Sequence, residues 1–211
     1  MNGLVSQIER LTAKINKVDD SAVGGLAINT IGTAPILGQL GCRFVLDMDS
    51  VKYDSTVGTV YGGIFQYVQT KAASTAAPAR GSFAFWSTAV ADDLYRVTPD
   101  EDDAMGANNC AGVYIGAPTK GQYCVIQIGG RAFVKYRAGL TGAAAVGEAV
   151  YCAGAGAGAD VGLADVLNGA GNPTFTQVGN MLARFIGVAR ELPVAGATTT
   201  VDMPWPRIGR I

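Results

Sequence analysis

Residues 121–137, GQYCVIQIGGRAFVKYR, decide the fold. Two apolar, β-favouring runs flank Gly129 and Gly130. In the first, Tyr123, Val125 and Gln127 alternate with Cys124, Ile126 and Ile128. In the second, Ala132, Val134 and Tyr136 alternate with Phe133, Lys135 and Arg137. A period of two is the pattern of a strand whose faces meet different surroundings. Paired glycines between such runs supply the positive φ angles of a two-residue turn. The sequence therefore predicts a β-hairpin turning at Gly129-Gly130 and a mainly β protein.

Outward from this stretch, strands are expected at 43–48, 57–68, 82–86, 111–115, 148–152, 182–190 and 198–203, separated by Gly, Pro, Asn and Asp clusters. Gly58, Gly62 and Gly63 predict a bulge or bend within the second of these. Residues 70–81 and the small-residue run 153–160 read as loops. Many short, punctuated strands indicate a small β-barrel or β-sandwich.

The amino-terminal part reads differently. Leu4, Ile8, Leu11, Ile15 and Val18 recur at helical spacing and form one stripe on a helix over 4–18. Such a helix, about 22 Å long, is marginal in water by itself and needs its stripe covered. The cover is either its own domain or another chain. Residues 21–41 are apolar but rich in glycine, which suits an extended arm. The division expected is an amino-terminal helix and arm at 1–41 and a β-rich body at 42–211. Leu4, Ile8, Leu11, Ile15, Val18, Ile28, Ile31, Ile36 and Leu37 are the candidates for contact with another subunit or partner.

The chemistry available is narrow. The 211 residues include no histidine, which removes the usual general base near neutral pH and the Ser-His and Cys-His pairs. Cys42, Cys110, Cys124 and Cys152 are too widely spaced for a CxxC site and are expected to be buried thiols without a disulfide. Asp100, Glu101, Asp102 and Asp103 lack the spacing of a calcium loop and read as a solvated acidic loop. The run from Gly154 to Gly158 lacks the strand, helix and lysine of a phosphate loop. Phe83, Phe85 and Trp86 read as core, with a stacking platform as the alternative. Trp205, between two prolines, is expected to anchor the tail. A net charge of −1 gives no general attraction to nucleic acid or to an acidic membrane, and no apolar run is long enough to span one. Neither a catalytic, cofactor-binding nor metal-binding residue is assigned, and the chain is expected not to be an enzyme. With no basic start and no apolar leader, it is expected to be made in a cytoplasm.

Three stretches carry a resemblance: GQYCVIQIGGRAFV from Gly121, GEAVYCAG from Gly147 and RFIGVARE from Arg184. In this order, before a terminal strand, they resemble the capsid decoration, or cement, proteins of tailed bacteriophages. The resemblance covers roughly the last 95 residues and none of the first 50. It implies a structural virion protein on the capsid exterior, seated between capsid subunits and stabilising the shell. The partners implied are the major capsid protein and sister copies in a homotrimer, with no cofactor. Alternatives are another virion part, such as a head fibre base or tail component, a carbohydrate-binding β module, or an enzyme with a spatially assembled carboxylate pair.

Overall fold

The computed structural model describes residues 30–35, 40–74, 76–87, 95–100, 110–140, 144–153, 161–166 and 185–203. The expected helix at 4–18 lies outside them, as do Ile28, Ile36, Leu37, Glu101, Asp102, Asp103 and Trp205. The described residues are mainly β and contain no helix. Eleven strands follow one another: β1 Ile31–Gly32, β2 Arg43–Asp54, β3 Gly58–Thr70, β4 Phe83–Trp86, β5 Arg96–Thr98, β6 Cys110–Tyr114, β7 Tyr123–Lys135, β8 Ala149–Cys152, β9 Ala164–Val166, β10 Phe185–Ala189 and β11 Thr198–Met203.

The expected hairpin is corrected. Gly129 and Gly130 do not turn the chain; they lie inside β7, a single strand of 13 residues. Gly130 does take a positive φ, of 88°. Against β3, Ile64 stands opposite Gly129 and Phe65 opposite Gln127, so Ile128 is an extra residue on β7. Such an insertion bends a strand and increases its twist. The glycines thus serve a bend rather than a reversal, and β7 exchanges partners there. Before it, β7 pairs with β3 and β6; beyond it, residues 130–135 pair with β11.

This exchange organises the molecule as two strand circuits that share β7. In the first, β3 pairs with β5, β5 with β4, β4 with β6, β6 with β7, and β7 again with β3. Only β3 and β5 run parallel. In the second, β7 pairs with β11, β11 with β10, β10 with β8 and β8 with β9. A parallel bridge between Tyr136 and Ala164 returns the path to the end of β7.

Each circuit has its own core. The first encloses Val68, Ala84, Trp86, Val97, Ala111, Tyr114, Cys124, Ile126 and Ile128, drawn from all five of its strands. The second encloses Ala132, Val134, Tyr136, Val150, Cys152, Ala164, Val166, Ile186, Val201 and Met203. Phe83, Phe85, Cys110 and Val113 join this second cluster from strands of the first circuit. β4, with sequence FAFW, therefore sends alternate side chains into the two cores and is buried on both faces. Burial of a side chain of this size contributes about 1.5–3 kcal/mol. The alternation read within β7 holds on both sides of the bend: Cys124, Ile126 and Ile128 enter one core, Ala132, Val134 and Tyr136 the other.

β2 and β3 form an antiparallel ribbon at the edge of the sheet. The Asp54 carboxylate closes its turn by accepting the N–H groups of Thr56, at 2.7 Å, and Val57, at 3.0 Å. β2 is longer than its sequence suggests because it resumes after an irregularity. Residues 47–50 stand against Gly62 alone, between the Leu46–Gly63 and Val51–Tyr61 pairs. The Asp47 carboxylate accepts the Asp49 N–H at 3.2 Å, and its carbonyl accepts the Ser50 hydroxyl at 2.7 Å. A third cluster, including Leu46, Phe65, Tyr67 and Val125, packs on the outside of the first circuit, with Phe44 stacked on Phe65 at 5.4 Å.

Candidate interaction surface

Several of the groups considered for chemistry face inward. Phe83 and Phe85 are fully buried and Trp86 nearly so, which makes them core rather than a stacking platform. Asp100 corrects the solvated acidic-loop reading: it is buried, and its backbone N–H donates to the Thr98 hydroxyl at 3.1 Å. Asp165 is also buried, 3.3 Å from the Arg137 guanidinium, and accepts the Val166 N–H at 2.8 Å. Cys110, Cys124 and Cys152 are buried, Cys42 is half-buried, and none forms a disulfide. Burial pushes the Cys124 thiol and the Tyr114 hydroxyl well above their ordinary values. The thiol of Cys124 beside Tyr114 adds to the second shift. Burial also raises Tyr136, to about 12, with the Thr199 hydroxyl offsetting part of the effect. Among the described residues, no three His, Cys, Asp or Glu side chains are grouped to hold a metal ion.

Of the contact candidates, Ile31 alone is described. It pairs with Cys124 of β7 and packs, partly buried, against the core of the first circuit. The Gly41 N–H also donates to the Tyr67 carbonyl at 2.8 Å. The chain is therefore attached to its own body at residue 31, ahead of the boundary expected at Cys42.

The surface offers two apolar groups that the sequence did not single out. One lies around the β10–β11 connection: Val146, Val188, Leu192 and Val194. The other is on β2: Val45, Val51 and Tyr53, the last 81% exposed. Of these residues only Val45 and Val188 fall within strands expected from the sequence, and period-two alternation does not say which face of a strand is solvated.

Beside the β2 group runs a stack that joins the circuits. The Arg80 guanidinium lies 5.4 Å from the Phe133 ring centre, Phe133 lies 5.1 Å from the Tyr61 ring, and Arg131 covers Tyr61 at 5.3 Å. Arg131 then meets the Asp202 carboxylate at 3.4 Å, and Arg190 meets its other oxygen at 2.9 Å. Cation–ring contacts of this kind contribute about 0.5–1 kcal/mol at exposed positions. The residues of this stack come from β3, β7, β11, the loop before β4 and the position after β10, far apart in sequence and invisible to local pattern. No protein-family model matches the chain, and no curated protein matches it in sequence.

Proposed function

We propose that this chain is a structural protein of a tailed-phage particle that binds the outside of the head between capsid subunits and stabilises the shell. One observation carries the reading. The three stretches that resemble decoration proteins fall on β8 and β10 of the second circuit and on β7, the strand it shares with the first. That circuit is built wholly from residues 123–203. The resemblance thus falls mainly on one set of paired strands rather than on scattered short words. On this reading each circuit is a small β-barrel, the role is structural rather than enzymatic, and no cofactor is used.

The partners are the major capsid protein and sister copies in a homotrimer. Multivalent attachment lets individually modest contacts hold, because the second and third subunits bind at millimolar effective concentration. The amino-terminal stripe, Leu4 to Val18, reaches a neighbour from the anchor at Ile31. The protein is assembled in the host cytoplasm and resides on the virion exterior. The test mixes purified protein with undecorated heads, then heats them and follows DNA release. The expected result is co-sedimentation with heads and a higher release temperature. Protein that neither sediments with heads nor raises that temperature at saturation removes the proposal.

A further inference from the structure

We propose that Val51, Tyr53 and Tyr61, together with Arg131 and Arg190, form the docking surface for a protein segment that sets a carboxylate beside an apolar side chain. The inference rests on the shell-binding reading, in which a capsid subunit supplies that segment.

The register makes the patch continuous. Val51 stands opposite Tyr61 across the β2–β3 ribbon, and directly opposed side chains share a face. Tyr53 follows two residues later on that face, opposite Thr59. Val51 is 59% and Tyr53 81% exposed, an unusual allotment for two neighbouring β-formers. The Tyr61 ring contacts both Phe133 and Arg131, so the platform is ordered before anything binds. Pre-ordering lowers the entropic cost of association.

Charge selects the partner. Arg131 and Arg190 both approach Asp202 through Nε, so these three groups carry one excess positive charge and, among the described residues, the Nη groups of both forks are open to another acceptor. A carboxylate fits such a fork by paired N–H donation. A long polyanion fits less well, because the neighbouring β2 carries Asp47, Asp49 and Asp54 against Arg43 and Lys52. The irregularity at 47–50 also breaks the outer edge of β2, which opposes strand addition by a second copy. Recognition therefore runs through side chains: an acidic group at the arginines and an aromatic or aliphatic group on Val51 and Tyr53.

The test titrates the full chain with a random copolymer of glutamate and tyrosine, using polyglutamate and polylysine for comparison. The copolymer should bind more tightly than polyglutamate, polylysine should not bind, and binding should weaken as salt rises. The double variant Arg131→Gln with Arg190→Gln should lose at least tenfold in affinity. Tyr53→Ala, at a position exposed enough to spare the fold, should lose a comparable factor. Absent copolymer binding, or equal binding by wild type and both variants, overturns the surface. On heads the outcomes separate. Failure of the wild type to bind removes the shell reading and leaves the copolymer result to decide the surface. Equal decoration by wild type and variants overturns the surface while the shell reading stands.

Discussion

Gly63 of β3 stands directly opposite Gly130 of β7, and a side chain at 63 would run into the carbonyl oxygen of Gly129. The obstacle is backbone, which cannot move aside without opening the shared strand. Gly63→Ala should therefore destabilise the protein by about 1–3 kcal/mol through overpacking. Gly130→Ala should cost a similar amount, because its φ of 88° is strained for any residue with a Cβ. Gly139→Ala, where a Cβ meets nothing within 4 Å, should stay within about 0.5 kcal/mol of wild type. Urea midpoints at constant slope measure all three.

Stability should decline in alkali. Folding raises the pKa of Cys124 above its ordinary 9.0, and those of Tyr114 and Tyr136 above 10.0, because burial disfavours the charged forms. A group raised on folding gives its stabilisation in full below the unfolded value. Above that value the unfolded chain holds fewer protons than the native one, so stability falls with pH. The fall should begin near pH 9 and steepen past 10, with the Tyr136 contribution spent by about 12. Urea titrations at pH 8, 9, 10 and 11 measure it, and Cys124→Ala should make the first part of the fall shallower.

The thiols should separate by accessibility. Only Cys42 is half-exposed; the other three are buried, and burial also holds the Cys124 thiol in its unreactive protonated form. One cysteine should react with an alkylating reagent in native protein at neutral pH, with the rest at least tenfold slower. Denaturant without reductant should expose four. Mass measurement at timed intervals reads both numbers.

Truncation should distinguish two attachment points. Removing residues 1–29 leaves the Ile31–Cys124 pair and the Gly41–Tyr67 hydrogen bond in place, so the body should keep its full stability while losing affinity for heads. Removing residues 1–41 deletes both contacts and should cost a further 1–3 kcal/mol or so. Thermal unfolding and head sedimentation, run on both truncations, give the two answers separately.

The β class and most strands were legible because alternation is local. The alternation along β7 was legible on both sides of the bend, though not which face meets which core, and FAFW was readable as core. The turn at Gly129-Gly130 was misread for a physical reason: a hairpin and a bulged bend both use a positive-φ glycine, and only the partner strands distinguish them. β5 and β9, three residues each, are too short for periodicity and owe their existence to strands elsewhere in the chain. Asp100 sits among acidic neighbours that suggested solvent, yet burial follows the strand it adjoins. The Arg131–Tyr61 contact, assembled across 70 residues, left no signal in either segment.

Because one unbroken strand belongs to both circuits, no cut in the chain leaves both lobes with all their strands. A pull on the second lobe passes along the main chain of β7 into the first, through covalent bonds rather than through an interface that could peel. The two halves should accordingly melt and tear as one object, with Gly129 and Gly130 as the place where that continuous tether yields in direction without breaking.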